Sequence, residues 1–110
     1  MADSENYQYF SVQEAGERCV IAFSNTISGD STLGPQLKSE LKEFLAFNSC
    51  TSLVVDCSAI PYLPGSVVGV LAGLTTTGLQ IELSQASQDV VSMMKASRLD
   101  QRIKVTPAED

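Results

Sequence analysis

The segment from residue 53 to residue 83 constrains the fold more than any other part of this sequence. Its first three residues, Leu53-Val54-Val55, form a short apolar run that is typical of a buried strand. After a polar loop, the apolar residues of 67–74 recur at helical spacing, and Gly78 ends that helix. Residues 79–83 then alternate with the period of a strand. The predicted unit is strand, loop, helix, strand, a right-handed crossover between parallel neighbours.

The flanking sequence predicts five further elements. Residues 7–12 and 19–23 form a hairpin around Gly16. Residues 25–34 form a loop, and Pro35 is the expected first residue of an amphipathic helix that ends near Phe47. Ser87 caps a third helix, and a last strand covers residues 103–105. The order β-β-α-β-α-β-α-β predicts an α/β fold, a mixed sheet with a parallel centre and helices packed on it.

Composition and charge exclude several functions. The chain has no histidine, which removes the commonest general base and the commonest metal ligand, so no catalytic residue, cofactor or metal site is expected. A formal net charge of -6 with 7 lysines and arginines argues against nucleic acid. An enzyme would have to rely on Asp56, Ser66 or a cysteine without an evident base, and Asp56 is more simply a turn former. Cys19, Cys50 and Cys57 lack C-x-x-C spacing and are interpreted as reduced, buried, small side chains.

The 110 residues are interpreted as a single domain, 1–110, in which residues 1–6 are expected to be disordered. The acidic N-terminus lacks the basic and apolar regions of a signal peptide. No apolar run approaches the roughly 20 residues that a bilayer span requires. A cytoplasmic protein without direct membrane insertion is therefore expected.

The second predicted helix has an unusual outward side. With Val67, Val70, Leu71 and Leu74 facing inward, a helical wheel leaves only small, uncharged residues outward. Glycine inside a helix costs roughly 1 kcal/mol relative to alanine, so something else must favour it here. Two explanations remain open: close approach of a partner backbone, or packing against another element of the same domain. The outward residues are Ser66, Gly69, Ala72, Gly73 and Thr76.

Ser66 stands just before this helix. As an N-cap, its side chain would accept a hydrogen bond from the N–H of Val68 or Gly69 and stabilise the helix by roughly 1 kcal/mol. A phosphate on the same hydroxyl would carry about -1.5 to -2 charge at the positive end of the helix. The positive end of the helix would stabilise that charge in the free protein, whereas at a docking surface the charge would weaken binding of a partner through its desolvation cost. Capping alone and regulatory phosphorylation are both open interpretations.

Several runs of this chain resemble STAS domains, the fold of bacterial anti-sigma factor antagonists. They are Leu53-Val54-Val55-Asp56 and residues 60–71, 78–83 and 94–100. The resemblance covers nearly the whole chain, and it implies that the family's closing helix is absent or cut short at residues 106–110.

The family's loop before the central helix usually reads Asp-Ser-Ser-Gly or Asp-Ser-Thr-Gly, followed by Leu-Gly. Here Gly69 matches the later glycine, which places Ser66 on the second hydroxyl residue. Gly65 then stands at the first hydroxyl residue, Pro64 at the aspartate and Val67 at the glycine. These departures leave the predicted fold unchanged, but they alter the loop motif on which the family's phosphorylation switch depends.

By this resemblance, the chain is a regulatory protein-binding module without enzymatic activity. It would dock as an anti-sigma factor antagonist on an ATP-binding anti-sigma factor kinase, and phosphorylation at Ser66 would separate the pair. The alternative is a non-phosphorylated STAS subunit of an ABC-type lipid or solute transporter complex, attached to its ATPase. The predicted partner-binding residues are Pro64, Gly65, Ser66, Gly69, Ala72, Gly73 and Thr76.

Overall fold

The computed structural model describes residue 7, residues 9–24 and residues 33–108. The disorder predicted for residues 1–6 and most of the predicted loop 25–34 lie outside the described residues. The predicted element order β-β-α-β-α-β-α-β is confirmed. The strands are β1 Phe10–Glu14, β2 Arg18–Phe23, β3 Ser52–Asp56, β4 Gln80–Ala86 and β5 Ile103–Pro107; the helices are α1 Leu33–Phe47, α2 Gly65–Thr75 and α3 Gln88–Ala96, followed by a 3-10 turn at Leu99–Gln101.

The five strands form one mixed sheet in the order β1-β2-β3-β4-β5. The hairpin strands β1 and β2 pair antiparallel, whereas β2 with β3, β3 with β4 and β4 with β5 pair parallel. Each connection through a helix therefore brings the next strand beside the previous one, as short connections usually do. The predicted mixed sheet with a parallel centre is confirmed.

One face of the sheet carries the core. Ile21, Leu53 and Leu83 lie on that face and are fully buried. On the opposite face Glu82 is half-buried, and its Oε2 accepts a hydrogen bond from Thr106 Oγ1 at 3.0 Å. The apolar side chains of all three helices join the same core cluster, so the helices pack against one face of the sheet. These side chains are Leu37, Leu41, Phe44, Val67, Leu71, Leu74, Val90 and Met94.

Helix α1 begins at Leu33, two residues before the predicted start at Pro35. Pro35 remains within the first turn, where its missing N–H has no intrahelical partner to lose. Gly34, which the sequence placed in the loop, is helical and buried. A Cβ at Gly34 would lie 3.3 Å from the Cβ of Ser66, so glycine allows α1 to approach the start of α2 closely.

Candidate functional site

Helix α2 begins before Ser66, and the prediction that Ser66 caps it is wrong. The N-cap residue is Pro64, with φ -61° and ψ 151°. Its carbonyl accepts the first helical hydrogen bonds, from the N–H groups of Val67 at 3.0 Å and Val68 at 3.1 Å. The proline ring already holds the φ that an N-cap residue needs, so the helix starts at Gly65. Ser66 is consequently the second helical residue.

The Ser66 hydroxyl is buried without a hydrogen-bond partner among the described residues. The Ser66 Cβ lies beside Gly34, at the N-terminal end of α1. Leaving a buried hydroxyl unpaired costs roughly 1 to 3 kcal/mol. No hydrogen bond to a described residue therefore offsets the free-energy cost of burying the Ser66 hydroxyl.

Replacing Ser66 by alanine is expected to raise the free energy of unfolding by about 1 kcal/mol. Alanine removes the unpaired polar atom and favours the helix. Urea unfolding followed by circular dichroism measures the change.

Ser87→Ala is the matched control, because Ser87 is a true N-cap. Its Oγ accepts from the N–H of Val90 at 3.2 Å and donates to the Pro61 carbonyl at 2.6 Å. Losing that cap is expected to cost about 1 kcal/mol. The two substitutions should therefore change stability in opposite directions; a comparable loss in Ser66→Ala would mean that the Ser66 hydroxyl does support the helix.

The outward side of α2 is open in the part of the chain that the structure describes. A Cβ added at Gly65, Gly69 or Gly73 would lie more than 4 Å from every described atom outside its own stretch of α2. Packing against another described element therefore does not account for these glycines, which leaves close approach of a partner as the explanation to test. The predicted inward residues are buried, as expected. Of the predicted partner-binding residues, Gly65, Gly69, Gly73 and Thr76 are exposed, Ser66 and Ala72 are half-buried, and Pro64 is buried.

A groove of about 370 Å³ lies between α1 and α2, beside the open side of α2. From α2 it is lined by three predicted residues, Ser66, Gly69 and Gly73, together with Val70. The contribution of α1, which includes the charged residue Lys38, was missed by sequence reasoning. Gly34 and Pro35, in the first turn of α1, were the only local sequence signal that α1 lines this groove. A glycine followed by a proline indicates a turn as readily as a close contact between helices. The α1 residues of the groove are Gly34, Pro35 and Lys38.

The C-terminal end of α2 satisfies its own carbonyl groups. The hydroxyls of Thr75, Thr76 and Thr77 donate to the carbonyls of the residues three positions earlier, at 2.6, 2.7 and 2.7 Å. Gly78 follows with φ +89°, which ends the helical segment as predicted. The Thr76 hydroxyl is thus engaged within the helix, although the residue is exposed.

Asp56 is a turn former, as predicted. Its Oδ1 accepts a hydrogen bond from the Ser58 N–H at 2.8 Å, which shapes the loop after β3. Over the described ranges there is no cluster of three or more potential metal-ligating His, Cys, Asp or Glu side chains. No helix in those ranges has both the length and the apolar character to cross a membrane.

Two comparisons with known proteins found similarities, one to a family and one to a solved structure. A family model described as the STAS domain matches residues 9–110. The structure is also similar to the crystal structure of a Thermotoga maritima protein provisionally assigned as an anti-sigma factor antagonist, with a TM-score of 0.70. The match covers 91% of this chain and 87% of that chain at 14% sequence identity. At that identity, the likeness is one of fold.

Proposed function

The chain belongs to the STAS domain family, and on that basis we propose that it is a regulatory protein-binding module, an anti-sigma factor antagonist that docks on an ATP-binding anti-sigma factor kinase. The open glycine side of α2 carries this proposal. Glycine at an exposed helical position costs the free domain roughly 1 kcal/mol relative to alanine. Among the described neighbours, Gly69 and Gly73 gain no packing that would offset this cost. A partner that lies against α2 offsets it, because glycine lets two backbones approach closely.

The proposed docking face extends from α2 onto its surroundings. Lys38 on α1 lines the adjoining groove and offers a positive charge to an acidic partner group. Tyr62, in the loop before α2, is 49% exposed and is one of two large apolar side chains exposed in the described part of the chain. Tyrosine is enriched at protein interfaces because it combines a large apolar surface with a hydroxyl. The protein itself performs no chemistry in this proposal.

Ser66 is the proposed phosphate acceptor, and its surroundings explain how phosphorylation would oppose docking. The hydroxyl is buried beside the first turn of α1, so the kinase has to open this helix contact before transfer. The contact leaves little room for a phosphoryl group on the α1 side, because a Cβ at Gly34 would already lie 3.3 Å from the Ser66 Cβ. The modified side chain would therefore displace α1 locally and place about -1.5 to -2 charge on the docking face. Both effects weaken binding of the partner.

The same burial favours a second function. An inaccessible Ser66 hydroxyl, together with Pro64 at the family's aspartate position, suits a STAS module that is never phosphorylated. A subunit bound to the ATPase of a lipid or solute transporter would be such a module. Its docking face would be the same side of α2.

Incubation with ATP and the anti-sigma factor kinase encoded by the same genome is expected to add one phosphoryl group, detected by intact mass. Ser66→Ala should stay unmodified. The matched control is Ser58→Ala, in the exposed loop before α2, which should still accept phosphate. Phosphate on the Ser66→Ala protein would contradict the assignment of the acceptor. An unmodified wild-type protein that still binds the kinase would favour a module without a switch, and failure to bind would exclude the antagonist function.

A further inference from the structure

We propose that Cys19 and Cys50 form a reversible disulfide when the protein meets a peroxide, at a modification site separate from the docking face. Cys19 is the second residue of β2, and Cys50 lies in the connection between α1 and β3. The three cysteines of the chain are free thiols in this structure.

Backbone hydrogen bonds hold the two cysteine-bearing segments together. The Glu17 carbonyl accepts from the N–H groups of Thr51 at 2.9 Å and Ser52 at 3.1 Å. Cys19 lies two residues after Glu17, and Cys50 immediately precedes Thr51. The parallel register of β2 and β3 continues this alignment, because Arg18 is paired with Ser52. The main chain therefore keeps both cysteines at the same end of the sheet.

The two side chains also contact each other. The Cys19 thiol donates to the Gly16 carbonyl at 3.1 Å, and the Cys50 thiol donates to the Ser52 carbonyl at 3.1 Å. Burial, followed by the neighbouring Cys50 thiol, raises the pKa of the Cys19 thiol to about 11. The two thiols are neighbours at this end of the sheet, and a disulfide between them requires the sulfurs to approach to about 2 Å.

Solvent reaches the two thiols unequally. Cys19 has an exposed fraction of 0%. Cys50 is half-buried and lines a pocket of about 170 Å³. A molecule of liquid water occupies about 30 Å³, so this pocket has room for a peroxide molecule. Cys50 is therefore the thiol that a small oxidant meets first. The other residues of the pocket are Leu45, Thr51, Thr77, Gly78 and Leu79.

The reaction balances with hydrogen peroxide as the oxidant. The deprotonated Cys50 sulfur attacks one peroxide oxygen, the O–O bond breaks, and the second oxygen leaves as water after taking up a proton. Cys50 is then a sulfenic acid. The Cys19 sulfur attacks the Cys50 sulfur, the S–O bond breaks, and the hydroxyl leaves as water with the Cys19 proton. Two thiols and one peroxide give one disulfide and two waters; each sulfur loses one electron and the peroxide gains two.

Alkylation of the full chain in denaturant, before and after hydrogen peroxide, tests the proposal. Intact mass should show three alkylated thiols before treatment and one afterwards, and dithiothreitol should restore three. Peptide mapping should link Cys19 to Cys50. In Cys19→Ser, Cys50 should stop at the sulfenic acid and react with dimedone, whereas Cys50→Ser should lose both the link and the dimedone product.

Cys57→Ser is the matched control and should form the link as the wild type does. Cys57 follows the C-terminal end of β3, whereas Cys19 and Cys50 lie at the opposite end of the sheet. A native chain that retains three alkylatable thiols, or whose Cys50 is oxidised without the link, would overturn the proposal. A link to Cys57, or one found only between two chains, would overturn it as well.

Discussion

Replacing Gly73 by glutamate is expected to weaken binding to the proposed partner, an anti-sigma factor kinase, by about 30-fold or more while the free domain stays folded. Gly73 is exposed on α2, and an added Cβ there meets none of its described neighbours within 4 Å, so the free protein accommodates the side chain. In the complex, the carboxylate would be buried against the partner without a matching charge. An unpaired charge at an interface costs roughly 2 to 5 kcal/mol, and each 1.4 kcal/mol is about tenfold in affinity. Isothermal titration calorimetry measures the loss.

Two controls separate docking from folding in that experiment. Gly73→Ala adds only a methyl group and is expected to raise the stability of the free domain by about 1 kcal/mol, because alanine is the better helix former. Ala46→Glu places the same charge on the exposed, C-terminal part of α1 and should leave the affinity unchanged. If Gly73→Glu binds the kinase as tightly as the wild type, the interface lies elsewhere on the molecule.

Phe44→Ala is expected to lower the free energy of unfolding by about 3 to 5 kcal/mol. Phe44 is fully buried on the inner side of α1. Its ring makes edge contacts with Tyr7 and Phe10, with centroid distances of 5.7 Å in both pairs, and so joins α1 to the start of the sheet. Alanine would remove these contacts and leave a cavity. Since domains of this size are stable by roughly 5 to 15 kcal/mol, a large fraction of the stability would be lost.

Phe47→Ala controls for the chemistry of the substitution. Phe47 lies on the same helix but is 65% exposed, so its removal should change the free energy of unfolding by less than about 0.5 kcal/mol. Urea unfolding of both variants measures the difference. Equal losses would contradict the orientation of α1 against the sheet.

The central unit of the fold was predictable because its signals are local. The apolar run of β3, the helical spacing of α2 and the alternation of β4 are periodicities in side-chain type, and each selects one backbone geometry. The Asp56 turn and the Ser87 cap are equally local, since each side chain bonds to a backbone group two or three residues away. The open side of α2 followed from the same helical spacing.

The start of α2 shows where such reasoning fails. Serine before an apolar helix is the usual pattern of an N-cap, and this pattern indicates that Ser66 could cap α2. The structure instead uses the Pro64 carbonyl to begin the helix, which turns the Ser66 side chain toward α1. A shift of two residues in a helix start changes which side of the helix a side chain occupies, and neighbouring elements help to decide it.

The sequence alone determined the order of the elements, the inner side of each helix and the small, uncharged outer side of α2. Only the tertiary structure decided that Gly34 lies against Ser66, that a groove separates α1 from α2, and that Cys19 meets Cys50. The periodicity of apolar side chains determines which side of each helix or strand is buried, and it can be read from a few neighbouring residues. Distances between residues far apart in sequence depend on how the elements pack together, and no local pattern encodes them.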